Sequence, residues 1–537
     1  MAVVTSRALL PRALGGRLRP PTRVAHSAAR APPSTLAPRT RAVYCRAASA
    51  AAAAPPPSPI LPGGVGLKSG ALSVGVGLAL KLLVPCPAGL EEPAWNLFCI
   101  FASTIAGVVL KPLPMSAWSF LGATAAVATG GCTFPEAFRA FSNEAMWLVI
   151  LSFFFAKGVE NTGLGARLAS HFVRGLGRSS LGLAYGLVAA ETALAPAMPS
   201  SAARAGAVFA PVIKSVSAAQ YSTAETDESR RRLGRFLVMT QLQCSVASSS
   251  LFLTGAAQSF LCLRLASEMG VVVAGAPFVA WLKGASIPAL ASLALTPLAL
   301  FWAMPPGLRS TPEAPVAAQR RLDEMGPMSQ KEATMAVVLG LTLAGWVGGY
   351  AVGVSPTCAA MLGLSALMVT GCLTWAECLD NRSAWDTLMW FAVLLGMAAQ
   401  LTTVGVIPYV ADRVGEALTT SLGGGWPAAF AALHAAYFLL HYIFASQTAH
   451  VGALYTAFLA MMVGAGVPGQ LAALTLAYGS ALNAAMTHYA SGQAAVYVAS
   501  GFVTSGEVFK VGAAVGALNF GIWGTLGMLW WKVLGLW

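Results

Sequence analysis

The chain has 537 residues, of which 56% are apolar and only 10% charged. This composition excludes an ordinary soluble domain and indicates a membrane protein that crosses the bilayer several times. The formal net charge of +13 falls to +4 without the nine arginines of the first 50 residues. The rest of the chain therefore predicts no basic surface for nucleic acid.

Residues 1–65 are rich in Ala, Arg, Pro and Ser, and the first acidic residue of the chain is Glu91. This composition is typical of an organelle transit peptide followed by a flexible lead. The many prolines and the sequence Val43-Tyr44-Cys45 favour a plastid, with cleavage near Cys45. A tail that is never removed is the alternative. The nine cysteines are scattered singly, so the sequence predicts neither a metal site nor a cofactor.

Apolar stretches long enough to cross about 30 Å of hydrocarbon predict eleven transmembrane helices. They lie at about 71–88, 93–111, 114–130, 145–160, 235–260, 277–303, 334–352, 356–375, 385–405, 469–500 and 507–535. Two further stretches, 182–217 and 426–464, carry a polar cluster in the middle and predict re-entrant hairpins with tips near 200 and 446. The predicted fold class is an all-α polytopic membrane protein.

An internal repeat relates the two halves of the chain. The sequence LGATAAVATG at 121–130 returns as LGLSALMVTG at 362–371. We therefore divide the chain into a first half at 71–303 (helix 71–88 plus repeat 1 at 93–303), a polar connecting loop at 304–333 and repeat 2 at 334–537. Each repeat contains five crossings and one hairpin, and this odd number of crossings predicts an inverted repeat, which is typical of transporters.

The polar loop at 218–236 contains four arginines. Loops rich in Lys and Arg tend to stay on the cytoplasmic side of a membrane, which corresponds to the stromal side in a plastid. We interpret this loop as a solvated segment that sets the topology.

The hairpin tips are the first candidate site. A helix that starts at a tip presents unpaired backbone N–H groups, and short polar side chains let a carboxylate approach them. Two such tips could hold both ends of a small dicarboxylate. The predicted substrate-binding residues at the tips are Ser200, Ser201, Ala202, Ser446, Gln447 and Thr448.

Each hairpin is followed by a second polar interruption of an apolar helix, QCSVASSSLFLTG at 243–255 and THYASGQ at 487–493. Broken helices opposite the tips would complete a binding site, and they add Ser249, Ser250, Thr254, Ser491 and Gly492 to the predicted substrate-binding residues. For the serines the alternative is close helix packing, in which serine is common within membranes.

Arg204 and His450 occupy matching positions, four residues after Ser200 and Ser446. Ionisable residues within a membrane are costly and usually mark a pathway or a partner, so this pair predicts charge compensation of a dianion. The alternative is that Arg204 reaches the interface or pairs with Glu191 and that His450 bonds a carbonyl.

Four stretches carry a family resemblance: APAMPSSAARAGAVFAPVIKS (195–215), SAWDTLMWFAVLLGMAAQL (383–401), HYIFASQTAHVGALYTAFLAMM (441–462) and THYASGQAAVY (487–497). From about residue 70 to Trp537 the chain resembles the plastidic dicarboxylate translocators, the plant branch of the divalent anion:sodium symporter family. The resemblance implies a homodimer of protomers with a scaffold domain and an elevator-type transport domain. It also implies a multi-pass protein of the chloroplast inner envelope that exchanges 2-oxoglutarate for malate.

The resemblance extends to the substrates and to ion coupling. Glutamate, succinate, fumarate and oxaloacetate are further candidate dicarboxylates, and membrane lipid is the other expected partner. Sodium-coupled relatives hold cations behind the tips, whereas exchanger-type relatives place basic residues there. Arg204 and His450 would then replace the cations, which predicts sodium-independent antiport; an unpaired fixed charge would oppose the return of an empty carrier.

The first tip departs from the family pattern, because Ser201 replaces Asn or Thr and Ala202 replaces Thr. The alternatives are a glutamate/malate exchanger and a sodium-coupled symporter of the same fold. An intramembrane serine hydrolase built on Ser446, His450 and His488 is disfavoured, because the sequence has no G-x-S-x-G nucleophile context. We therefore predict that the protein is not an enzyme.

Overall fold

The computed structural model describes residues 66–410, 413 and 425–537. The predicted transit peptide and lead at 1–65 lie outside the described residues. Within the described part all regular structure is helical, apart from one isolated bridge between Ser179 and Ser310. This agrees with the sequence prediction, since a helix satisfies its own backbone hydrogen bonds in an apolar surrounding.

The described helices of the first half are numbered in chain order. They are α1 (Leu67–Leu83), α2 (Glu92–Leu110), α3 (Met115–Ala128), α4 (Phe134–Phe138), α5 (Glu144–Thr162), α6 (Leu164–Leu176), α7 (Ser180–Leu194), α8 (Ser201–Ala203), α9 (Ala210–Ala219), α10 (Asp227–Arg232), α11 (Gly234–Leu251), α12 (Ala257–Glu268) and α13 (Pro277–Ala303). A π-helical segment, Arg204–Phe209, joins α8 to α9.

The helices after the first half begin with one in the connecting segment. They are α14 (Glu313–Met325), α15 (Gln330–Gly348), α16 (Pro356–Val369), α17 (Trp375–Leu379), α18 (Arg382–Thr403), α19 (Trp426–Leu440), α20 (Gln447–His450), α21 (Thr456–Gly464), α22 (Gly469–Leu482), α23 (Gly492–Ala499), α24 (Ser505–Ile522) and α25 (Met528–Val533). A π-helical segment, Val451–Tyr455, joins α20 to α21.

Four helical stretches of the described chain are long and apolar enough to cross a membrane on their own: Glu92–Leu110, Pro277–Ala303, Arg382–Thr403 and Ser505–Val533. A fifth is possible if the bent pair Phe134–Ser142 and Met146–Thr162 forms one span. Other apolar helices are shorter, and the predicted spans at 235–260 and 469–500 are each interrupted. The predicted number of eleven crossings therefore stays a prediction.

The predicted connecting loop at 304–333 contains helix α14, which the sequence analysis missed. Its residues Ala314, Ala318 and Leu322 are buried at a spacing of four, which is one face of an amphipathic helix. Helix α6 was also missed; its Arg167 bonds Glu332 at 2.8 Å and the Gly326 carbonyl at 2.9 Å. These contacts fasten the connecting segment to the first half.

Local details recur in the two halves. A Cβ added at Gly122 would overlap the Thr104 hydroxyl, and one added at Gly363 would overlap the Thr342 hydroxyl. In both places the missing side chain lets two helices approach closely. Thr133 and Thr374 begin α4 and α17 with the same capping box. The inverted orientation of the halves stays a prediction.

Several loops meet on one side of the molecule. Arg230 bonds Glu507 at 2.7 Å and the Phe502 carbonyl at 3.1 Å, and Arg235 also reaches Glu507. The Glu507 carboxylate raises the pKa of Arg230 above its ordinary value. Backbone bonds join Thr311 to Arg178 and Ser180 to Arg309. We call this side, which carries Arg178, Arg230, Arg231, Arg232 and Arg309, the arginine-rich face.

Candidate substrate-binding site

The first hairpin, residues 180–219, reverses direction at the segment 195–200, which we call the first turn. Arg204 lies after this turn and Glu191 before it, yet their side chains meet at 3.4 Å. Ser200 begins α8, and its hydroxyl accepts a hydrogen bond from the Ala203 amide at 3.2 Å. Ser200, Ser201 and Ala202 are half-buried. They form the first tip and leave backbone N–H groups at a helix start. Their contact with substrate stays a prediction.

Arg204 is fully buried and its charge is balanced within the protein. Besides Glu191, its guanidinium donates to the Met198 carbonyl, to the Gly255 carbonyl at 3.0 Å and to the Ser249 hydroxyl at 2.6 Å. The structure thus contains the ion pair with Glu191 that the sequence left as the alternative. The role of Arg204 as a counter-charge for substrate stays a prediction, and the premise that its charge is unpaired is wrong.

The first break, Phe252–Ala256, separates α11 from α12. Phe252 and Ala256 are extended and flank one 3-10 turn. The hydroxyl of Ser250 bonds the Val246 carbonyl at 2.8 Å, while its own carbonyl accepts from the Trp281 indole at 2.9 Å. Thr254 is buried in the break. The predicted residues Ser249 and Ser250 are therefore engaged in holding the break, in line with the packing alternative.

The second hairpin, residues 426–464, also brings its two arms together. The Tyr437 ring lies 5.2 Å from the Phe458 ring across the hairpin. Ser446 begins α20 and accepts from the Ala449 amide at 3.5 Å. Gln447 is buried and donates to the carbonyls of Ser480 and Ala481, both at 3.2 Å. These bonds fix the second tip, Ser446 to Thr448, on the end of α22.

His450 lies behind the second tip and is fully buried. Its ring packs against the rings of Tyr437 at 4.3 Å, His441 at 4.8 Å and Phe444 at 5.2 Å. It also lies close to the Tyr437 backbone carbonyl, but neither ring nitrogen meets the geometry of a hydrogen bond with a described residue. The charge-compensating role of His450 stays a prediction.

His441 was missed by the sequence analysis. It is fully buried and lies close to the Ala490 backbone, but neither ring nitrogen meets the geometry of a hydrogen bond with a described residue. The signal was present, because His441 opens the same stretch, HYIFASQTAH, that contains the second tip. The second hairpin has three histidines, His434, His441 and His450, which is unusual for an apolar hairpin.

The second break, residues 483–491, separates α22 from α23. Ser491 begins α23, accepting from the Ala494 amide at 3.2 Å and donating to the Ala484 carbonyl at 2.7 Å. Gly492 meets the first tip, because a Cβ added there would lie 2.9 Å from the Cβ of Ala202. The first tip therefore packs directly on the start of α23.

Two glutamines, one on α11 and one on α23, connect α11 to the second break and to α23. Gln243 donates to the Ala485 carbonyl at 3.0 Å, and Gln493 donates to the Ser245 hydroxyl at 2.9 Å. The first tip, the first break and the second break thus form one connected group, and Gln447 joins the second tip to the helix that leads into the second break. The sequence analysis did not count either glutamine among the predicted site residues, although both belong to the polar interruptions at 243–255 and 487–493.

The connected group has backbone groups that can bind an anion. It offers helix starts at Ser200, Ser446 and Ser491, with irregular backbone at both breaks. Within the described ranges no cluster of three or more His, Cys, Asp or Glu side chains could hold a metal. Several buried oxygens have no described partner, namely those of Asn483, Thr487, Gln493 and Tyr497.

Comparison with known proteins places the chain in a family. The profile of the family described as "Sodium:sulfate symporter transmembrane region" matches residues 71–537. The chain belongs to this family. It therefore joins a family of membrane transporters, and the connected group lies within the matched region.

Two plant relatives are similar over most of their length. The "Dicarboxylate transporter 2, chloroplastic" of Spinacia oleracea is 54% identical over 87% of this chain and 84% of the relative. The "Dicarboxylate transporter 1, chloroplastic" of Arabidopsis thaliana is 43% identical over 91% and 87%, respectively. Among solved structures, the YdaH transporter of Alcanivorax borkumensis has a similar fold, with a TM-score of 0.54 at 13% identity, covering 82% of this chain and 99% of that one.

Proposed function

We propose that this protein is a dicarboxylate transporter of the chloroplast inner envelope that exchanges 2-oxoglutarate for malate without sodium. The two chloroplast relatives named above support the substrate class and the organelle. The family match supports transport rather than catalysis.

The observation that carries the proposal is the pairing of each hairpin tip with a broken helix. Ala202 of the first tip packs on Gly492 at the second break, and Gln447 of the second tip is bonded to the end of α22. Helix starts at the tips favour negative charge, because their N–H groups lack partners within the helix. A small molecule with a carboxylate at each end fits such a pair of helix starts.

The transport movement belongs to the same proposal. We infer an inverted repeat in which the hairpins and broken helices form a transport domain. This domain would move as an elevator against a scaffold, in a homodimer. The irregular backbone of both breaks is compatible with this, because it is enclosed by protein rather than exposed to lipid.

The ion pair of Arg204 and Glu191 favours keeping a sodium-coupled symporter as the second candidate. A paired arginine leaves no fixed charge on the first tip to replace a cation. The unpartnered buried oxygens near the second break, such as that of Asn483, are also of the kind that binds sodium. A glutamate/malate exchanger differs from the proposed function only in its substrate.

The deciding experiment is uptake of labelled 2-oxoglutarate into proteoliposomes loaded with malate, glutamate or no substrate, each with sodium or potassium outside. The proposal expects uptake only with internal malate and with no effect of sodium. Uptake driven equally by internal glutamate would indicate the glutamate exchanger. Sodium-dependent uptake into empty vesicles would establish the symporter and reject the proposed exchange.

A further inference from the structure

A polar cavity of about 300 Å³ lies in front of the first tip. Ser200 of the first tip and the adjacent Ala203 form one wall. The end of α5 and the start of α18 form the others. Four charged residues line it: Lys157, Glu160, Asp380 and Arg382. We call this space the entrance cavity.

The two cations of the entrance cavity are available to an incoming anion. Arg382 is exposed and has no ion-pair partner in the part of the chain that the structure describes. Lys157 pairs with Glu160 at 3.2 Å, with side chains 36% and 44% exposed. Exposed pairs of this kind are weak, so Lys157 can turn to a substrate carboxylate.

The walls of the entrance cavity are held in place. The Asn381 amide donates to the Phe153 carbonyl at 3.2 Å and caps the start of α18. Asn161 donates to Glu377 at 2.7 Å. The Thr374 amide and hydroxyl keep the pKa of Glu377 below its ordinary value, so this carboxylate stays ionised outside the cavity lining.

The second tip faces a different surface. After Asp386, α18 carries no charged residue up to its end at Thr403, and its Leu394 is apolar and buried. A Cβ added at Gly452, behind the second tip, would lie 3.6 Å from Leu394. The charges that line the entrance cavity therefore have no counterpart on this stretch of α18.

The entrance cavity belongs to the side of the arginine-rich face. Lys157 and Glu160 lie in the last two turns of α5, and the following Gly163 lies beside Met325 of α14. Arg309 and Thr311 lie just before α14 in the chain. Their backbones are bonded to Ser180 and Arg178, where the first hairpin begins. One side of the membrane thus has a charged approach to the first tip.

We propose that substrate dianions enter through this cavity, attracted by Lys157 and Arg382, and that charge therefore sets the apparent affinity on one membrane face only. The inference rests on the proposed dicarboxylate transport. Glu160 and Asp380 balance the two cations in the lining, so the loss of either cation leaves a net negative wall that repels a dianion and lowers its rate of encounter. The part of α18 that lies beside the second tip has no charged residue to produce this effect.

The test uses the full chain in proteoliposomes loaded with malate, with uptake of labelled malate measured over a range of external concentrations. Vesicles carry the protein in both orientations, so the curve has two KM components. Arg382→Gln and Lys157→Gln are expected to raise one component about 3- to 10-fold, by losing attraction of the dianion. The other component and the maximal rate should stay unchanged.

Two controls reverse or remove the charge effect. Glu160→Gln frees Lys157 and should lower the same KM component, which a merely structural role for these residues would not do. Arg320→Gln removes an exposed arginine of α14 that does not line the cavity, and it should change neither component. Raising the ionic strength should reduce the difference between wild type and Arg382→Gln.

Chemical modification at position 382 tests the sign of the charge effect on the KM. Arg382→Cys in a Cys358→Ser background, which removes an exposed native thiol, is treated with membrane-impermeant thiol reagents of either charge. A positive reagent should restore the wild-type KM component, and a negative one should raise it further. Equal effects of both reagents, or a KM unchanged by Arg382→Gln while wild type transports malate, would overturn the proposal. Absence of wild-type malate uptake would instead reject the proposed function.

Discussion

The two hairpin tips have the same sequence pattern, a serine followed four residues later by a basic residue, and yet their surroundings differ. Arg204 behind the first tip is paired with Glu191 and bonded to the first break. His450 behind the second tip is enclosed by aromatic rings and has no hydrogen bond to a described residue. Residues at matching positions of the two halves therefore need not have the same charge or the same partners. The environment of each tip decides what its basic residue can do.

The largest expected effect tests the paired tip. Glu191→Gln leaves the buried Arg204 charge without its partner, and breaking a buried ion pair in this way costs about 3–5 kcal/mol. We expect a large fall in the thermal unfolding temperature of the purified protein. The double variant Glu191→Gln with Arg204→Gln removes both charges and should recover much of the loss. Glu160→Gln, which breaks an exposed pair, is the matched control and should change stability by less than about 1 kcal/mol.

At the second tip we expect one substitution to lower stability and a neighbouring one to weaken substrate binding. Gln447→Ala removes two hydrogen bonds to the carbonyls of Ser480 and Ala481. Because those buried groups lose a partner, the variant should be less stable by about 1–3 kcal/mol. Thr448→Ala should leave stability within about 0.5 kcal/mol and raise the KM for dicarboxylate. The distinction is lost if Thr448→Ala lowers the unfolding temperature as much as Gln447→Ala does.

Gly492→Ala tests whether the first tip is seated on α23. The new methyl group would lie 2.9 Å from the Ala202 Cβ, and overpacking of this kind costs about 1–3 kcal/mol. Adding Ala202→Gly should relieve the contact and restore the unfolding temperature. If the pair of substitutions is no better than Gly492→Ala alone, the tip does not rest where we describe it.

At His450 we expect no loss of stability. His450→Phe replaces an imidazole that has no hydrogen bond to a described residue with a ring of similar shape, so folding should be unchanged or stabilised by about 1 kcal/mol. Exchange of dicarboxylate should nevertheless fall at least about tenfold if His450 compensates substrate charge. Measured together, unchanged stability and unchanged exchange would assign His450 to packing alone.

The positions of both tips and both breaks could be predicted from the sequence. Ser200, Ser446 and Ser491 each cap a helix where polar residues interrupt an apolar run, and this local chemistry is visible without the fold. The pairing partners are not local. Glu191 and Gly255 lie on opposite sides of Arg204 in the chain, and nothing in the spacing of residues shows that both reach its guanidinium.

Helix α14, in contrast, was missed although its sequence carries a local signal. Its sequence is polar, with only a narrow apolar face, so a search for membrane-long apolar runs assigns it to a loop. The periodicity of Ala314, Ala318 and Leu322 could have revealed it. The entrance cavity could not be predicted in the same way, because Lys157 and Arg382 are far apart in sequence and lie on helices from different repeats.

The contact between Ala202 and Gly492 joins residues that are almost 300 positions apart, and Gln243 reaches Ala485 over a separation of 242. Neither half of the chain therefore owns a complete site. A fragment ending at α13 would keep the bonds from Arg204 to the first break but would lose the contact of the first tip with α23. Two fragments divided between α13 and α14 are therefore expected to bind substrate only after they reassemble.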